Sequence, residues 1–139
     1  MERGSEWTRR TSEAIITALR QRVRKAAERR HDRVDERASH QWIAWRSRSA
    51  DRVFAELRSL RGRIQVFILP GLGELSDTSG LARRAPRTQG WGWFRTRFEV
   101  SSMAQVDAAA RLIVQSYERG ARKANGGRTS PRRRRAQGL

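Results

Sequence analysis

The stretch Trp91-Gly92-Trp93-Phe94-Arg95-Thr96-Arg97-Phe98-Glu99-Val100 alternates so strictly that it leaves few folds open to this chain. Successive side chains of a strand point to opposite faces, so Phe94, Thr96, Phe98 and Val100 share one face. Trp91, Trp93, Arg95, Arg97 and Glu99 share the other. The first set makes a core face. The second puts two indoles and two guanidiniums in a row, the groups that stack on bases and neutralise phosphates.

A strand of this kind needs neighbours, and Arg63 to Leu69 supplies one. It alternates in the same way, with Ile64, Val66 and Ile68 on one side and Arg63, Gln65 and Phe67 on the other, and it stops at Pro70. Between the two strands, residues 70–90 are rich in Gly, Pro and Ser. A connection of that length in a small domain is functional, mobile, or hides a short strand. Its second half carries Arg83, Arg84 and Arg87 around Pro86, a basic flap that would extend the anion-attracting face. After Val100, Ser102 and Gln105 have capping-box spacing, and Met103, Val106, Ala110, Ile113 and Tyr117 recur at helical steps. The spacing predicts an amphipathic helix over about 102–119, ended by Gly120, covering the aliphatic side of the sheet.

Upstream, no Gly or Pro occurs from Ser5 to Arg61. Apolar residues there fall near a 3.6-residue period, which predicts one long helix or two in sequence, over about 10–37 and 41–60. Ile16, Leu19, Val23, Trp42, Trp45, Val53 and Leu57 then form a stripe of the kind a helix offers to a partner helix. The expected division is a helical region 1–60, a small α+β core 61–120 and an arginine-rich tail 121–139. The fold class expected is α+β, with a small antiparallel sheet built on strands near 63–69 and 91–100.

Charge points to the partner. The chain holds 31 Lys+Arg against 14 Asp+Glu, a net charge of +17, and Lys25 and Lys123 are its only lysines. A surplus of this size calls for a polyanion, and arginine's planar fork suits bidentate phosphate contacts and stacking. The tail concentrates it in Arg122, Lys123, Arg128, Arg132, Arg133, Arg134 and Arg135, with no acid among them. A like-charge block with Gly and Pro is expected to be disordered alone and to bind nucleic acid electrostatically.

Other chemistries find little support. There is no cysteine, so neither disulfides nor Cys-based zinc sites arise. His31 and His40 are the only histidines, and their separation is not a zinc spacing. Pro70-Gly71-Leu72-Gly73 lacks the Lys-Ser/Thr ending of a P-loop and reads as a turn. The acids after residue 60 form no evident acid/base pair. The sequence therefore predicts no catalytic residue, no metal and no cofactor. With no apolar run of membrane-spanning length and no apolar leader at Met1 to Glu6, the expected location is the cytoplasm or the inside of a virion, not the secreted space.

The order helix, strand, long loop, strand, helix can be laid over a double-stranded-RNA-binding domain, but Met103, Ala104 and Gln105 stand where that family places basic residues. The Arg/Ala-rich helical start followed by a small sheet looks like the minor structural proteins of tailed phages, such as head-tail connectors. That resemblance implies an assembly subunit whose tail faces packaged genome or an acidic partner. The residues themselves favour a non-enzymatic protein that binds DNA or RNA through phosphates with low sequence specificity.

Overall fold

A computed structural model of the chain describes residues 8–86 and 93–126, with side chains described as far as Gly120. The first helix, α1 (Arg9–Glu28), starts at Thr8, whose hydroxyl accepts a hydrogen bond from the Thr11 amide at 3.2 Å. That cap satisfies one of the amides a helix start leaves open. Ile15, Ile16, Leu19, Val23, Ala26 and Ala27 form its buried stripe. The helix then stops, and His31 turns the chain at φ 57°.

Six strands follow: β1 (Val34–Ser39), β2 (Trp42–Ser47), β3 (Arg52–Leu60), β4 (Arg63–Ile68), β5 (Arg83–Arg84) and β6 (Thr96–Val100). They form one antiparallel sheet in the order β1-β2-β3-β4-β6-β5. The expected helical region 1–60 is thus helical only to Glu28, and residues 34–60 are three strands of the same sheet as 63–100. The reason lies in the turns. His31, His40 and Asp51 take positive φ, the conformation usually left to glycine. Histidine and aspartate are among the side chains that tolerate it best, so three chain reversals occur with no Gly or Pro to mark them.

Both helices cover one face of the sheet. That face presents Ile43 and Trp45 from β2, Ala55 and Leu57 from β3, Ile64, Val66 and Ile68 from β4, and Thr96, Phe98 and Val100 from β6. The Trp45 indole, fully buried, donates to a Glu36 carboxylate oxygen at 2.8 Å, and Arg20 of α1 grips the same carboxylate at 2.7 Å. The Ser12 and Ser59 hydroxyls meet at 2.7 Å, a second tie from α1 to the sheet. Opposite Trp45 and Arg46 the register skips Phe54, a bulge that sends its ring into the helix layer. There Phe54 meets Tyr117 edge-on, with centroids 5.2 Å apart.

The last helix, α2 (Val106–Gly126), follows a 3₁₀ turn at Met103–Gln105. Gln105 reaches back to the Ser101 amide at 2.7 Å, one residue before the expected cap. Gly120 does not end α2 but lies within it, close against β3 and Leu69. Tyr117 donates to Asp32 at 2.8 Å, tying α2 to the segment that joins α1 to β1. Asp32 also accepts from the Ser47 hydroxyl at 2.6 Å and from the amides of Arg33 and Ser49 at 2.7 and 2.9 Å. Burial would raise the Asp32 pKa, but these four donors outweigh it and hold it at about 2. Among the described residues, no helix is long and apolar enough to cross a membrane.

Candidate nucleic-acid interface

The described helix side chains pack on the first face, and on the second face Gln65 and Phe67 are themselves buried. Cross-strand partners share a face, so the register aligns Arg37, Ala44, Glu56, Phe67, Arg97 and Arg83 in one row across all six strands. The neighbouring row runs Ser39, Trp42, Arg58, Gln65 and Glu99. Most of the aliphatic residues are on the helix side, with Ala44, Val53 and Leu60 on the other. The opposite side mixes guanidiniums and rings with the acids Glu56 and Glu99, so the arginine-and-ring pattern expected of β4 and β6 continues into β2 and β3 through Trp42 and Arg58.

Arg83 and Arg97 are direct cross-strand partners. Like charges directly opposite one another oppose strand pairing. Arg83 donates to the Gly80 and Ala82 carbonyls at 2.7 and 3.1 Å, which positions its guanidinium without neutralising it. Among the described residues, Arg83, Arg84, Arg97 and Arg37 make no ion pair with an acid. Other arginines are committed. Arg63 pairs with Glu99 at 3.1 Å, and Arg46 and Arg48 share Asp35 at 3.0 and 2.9 Å. The Arg48 hydrogen bond, with the charges of Arg48 and Arg46, holds the Asp35 carboxyl below its usual range.

Trp42 and Arg58, which the sequence did not single out for this face, form its centre. The Arg58 guanidinium carbon stands 4.8 Å from the centroid of the Trp42 ring, and the buried Phe67 ring lies 5.9 Å from Trp42. Arg58 also donates to the Gln65 side-chain carbonyl at 2.9 Å, while its buried Nε has no hydrogen-bond partner among the described residues. A guanidinium lying over an indole is a flat cationic surface of the kind on which bases stack. The signal was present in the sequence as period-two spacing of Glu56, Arg58 and Leu60. It was masked by a 3.6-residue reading of the same segment.

The remaining candidates divide by location. Phe94 is buried and Arg95 exposed, as the alternation requires, but Arg95 turns toward Glu74 at 3.6 Å and lies over Gly71. Glu74 also takes Arg119 at 3.0 Å, so Arg95 clamps the loop and is not part of either row. Trp93 is 36% exposed and packs against Phe94 with centroids 6.3 Å apart. Arg84 is exposed at the β5 edge, opposite Thr96. Trp91, Arg87, Arg128 and Arg132 to Arg135 lie outside the described residues, and Arg122 and Lys123 fall on the α2 backbone beyond the described side chains.

The stripe expected to face a partner helix is dispersed by the fold. Ile16, Leu19 and Val23 of α1 and Trp45 and Leu57 of the sheet are buried inside this chain. Trp42 lies on the arginine-bearing face, and Val53 is half-buried beside the bulge. His31 and His40 are turn residues, and among the described residues no group of His, Cys, Asp and Glu could hold a metal. No family model, curated protein or solved structure matches the chain.

Proposed function

We propose that this chain is a non-enzymatic nucleic-acid-binding protein that engages phosphates through the second face of its sheet and its arginine-rich tail, with low sequence specificity. The observation that carries the reading is the facing pair Arg83 and Arg97, two arginines in direct cross-strand register with no ion-paired acid at either among the described residues. A phosphate between them would turn repulsion into two charge-assisted contacts. On the same face, across β4 from that pair, Arg58, Trp42 and Arg37 offer further phosphate and stacking contacts toward the other edge of the sheet. Among the described residues no constellation of side chains resembles a base-reading code, which fits binding governed by charge and stacking.

Stacking requires unpaired bases, so the arrangement favours single strands or loops over intact duplex. The alternative reading, an assembly subunit of a virion, drew on an apolar stripe that this fold uses for its own core. It keeps only the basic tail in support. The test is fluorescence anisotropy of labelled single-stranded and duplex oligonucleotides titrated with the full chain across a salt series. Binding that weakens steeply with salt and prefers the single strand supports the reading. No binding at low salt overturns it.

A further inference from the structure

On the helix side of the molecule, away from the arginine-bearing face, α1, α2 and the loop at residues 76–79 enclose a concavity of about 480 Å³. Its rim is cationic. Arg22 and Lys25 of α1 and Arg29, which caps its end, line it at spacings of three and four, which places them in one column on the helix surface, and Arg111 lines it from α2. Like charges stacked along one column oppose helix formation unless something neutralises them. The acids at hand do so only in part. Asp107 is shared by Arg22 at 2.9 Å and Arg111 at 3.1 Å, one carboxylate for two guanidiniums. Among the described residues, Lys25 and Arg29 have no acidic partner.

The opposite wall is a fixed hydroxyl-bearing loop. Gln115 of α2 holds it by two hydrogen bonds to the backbone of Ser76, accepting from its amide at 2.9 Å and donating to its carbonyl at 2.8 Å. Asp77 is the one acid lining the cavity, and its oxygens are directed into the loop. One accepts from the Ser79 amide at 2.9 Å and from the Ser79 hydroxyl, the other from the Ala82 amide at 3.1 Å. Asp77 therefore shapes the loop instead of pairing with Lys25 or Arg29. Thr78 and Ser76 remain as hydroxyl-bearing residues on the wall opposite the cations.

We propose that this concavity binds a phosphate or pyrophosphate group carried by a small molecule. Its volume suits a ligand of nucleotide size. Lys25 and Arg29 supply the uncompensated charge, Arg22 and Arg111 a second pair of donors, and the loop hydroxyls complete the coordination of an anion. The site lies on the opposite side of the sheet from Arg83 and Arg97, so it does not depend on the nucleic-acid reading.

The test is thermal unfolding of the full chain with added inorganic pyrophosphate, at ionic strength held constant with sodium chloride. A ligand that binds the folded state alone stabilises it by RT ln(1 + L/Kd), where L is the free ligand concentration, so the midpoint climbs with the logarithm of ligand concentration above Kd. The wild-type midpoint should rise steadily as pyrophosphate concentration increases. The double variant Lys25→Gln/Arg29→Gln, which alters only exposed side chains, should bind pyrophosphate about tenfold more weakly. Arg83→Gln/Arg97→Gln should behave as wild type in this assay. A wild-type chain indifferent to pyrophosphate, or a Lys25→Gln/Arg29→Gln chain with an unchanged rise, overturns the proposal. So does a tenfold loss of oligonucleotide affinity in that double variant without any pyrophosphate effect on the wild type, which would assign the cations to a polynucleotide track.

Discussion

Arg83 and Arg97 stand directly opposite each other across the β5–β6 pair, two like charges registered where an opposite pair would strengthen the sheet. If the pair is kept for binding, stability and affinity should move in opposite directions when it is broken. Arg97→Thr retains a β-favouring residue and removes the repulsion. Urea unfolding should show the variant as stable as the wild type or more so, by up to about 0.5 kcal/mol, since cross-strand charge terms are of that size. Anisotropy should show oligonucleotide affinity reduced about tenfold, the effect of one lost charge-assisted contact. A variant that loses stability while keeping its affinity would assign Arg97 a purely structural role.

Acid should unfold this protein partly through Asp32. Its carboxyl titrates near 2 in the folded chain against an ordinary value of 3.8, so the folded state favours the ionised form. The stabilisation is complete above about pH 5 and is lost as pH falls from about 4 to 2, amounting to about 2 kcal/mol. Asp35, Glu36 and Asp77 are depressed as well and act in the same direction. Urea midpoints measured between pH 7 and pH 2 should fall along this course, and Asp32→Asn should flatten it. The same variant should cost about 2–4 kcal/mol at pH 7, because an amide group must then face hydrogen-bond donors in a buried site.

Gly120 offers a gain. A Cβ built there would lie 3.6 Å from Arg52 Cδ, 3.7 Å from Leu69 Cδ1 and 4.0 Å from Phe54 Cβ, all ordinary contact distances. Gly120→Ala should therefore stabilise the fold by up to about 1 kcal/mol through helix propensity. Thermal unfolding would show a higher midpoint. A lower one would mean that α2 cannot accept a methyl group against β3.

What could be read from the sequence depended on punctuation. Gly62 and Pro70 bracket β4, and the alternation from Phe94 to Val100 fixes which side chains of that segment face the core. β4 occurs where expected, β6 takes, among the described residues, only Thr96–Val100 of the strand expected over 91–100, and the helix that covers them starts at Val106. Between residues 34 and 60 the punctuation is absent. Turns on His31, His40 and Asp51 carry no glycine, and the inward residues of separate strands mimic a helical stripe. Trp42 and Trp45, three apart and so neighbours on a helix, point to opposite faces of the sheet. The candidate site was visible as arginines at 83 and 97, but only the register shows that Arg83 faces Arg97, that Arg84 falls on the helix side opposite Thr96, and that Trp42 and Arg58 share the face of Arg83 and Arg97.

The location of Leu19 separates the two readings of the N-terminal stripe. In this fold Leu19 is fully buried against the sheet of its own chain. Leu19→Ala should therefore destabilise the chain by about 2–5 kcal/mol, in the range for buried leucine truncation. The loss should not vary with protein concentration. If the residue instead faced a second copy, light scattering would show a folded monomer released by the mutation, and the unfolding midpoint of the wild type would rise with concentration.

Salt dependence can apportion binding between the tail and the sheet face. If the two together neutralise roughly eight phosphates, log K against log salt should have a slope of about −7 on duplex DNA, or about −6 on a single strand. Removing residues 127–139 deletes Arg128 and Arg132 to Arg135 and should flatten the duplex slope by about 4 to 5. The truncated chain should still prefer a single strand, because the Trp42 and Arg58 stack lies within residues 8–86. Arg58→Ala in the truncated chain should then remove that preference while changing the slope by no more than about 1. A truncated chain that binds both substrates equally, before any change at Arg58, would confine binding to phosphate charge and leave the ring-and-guanidinium row without a role in recognition.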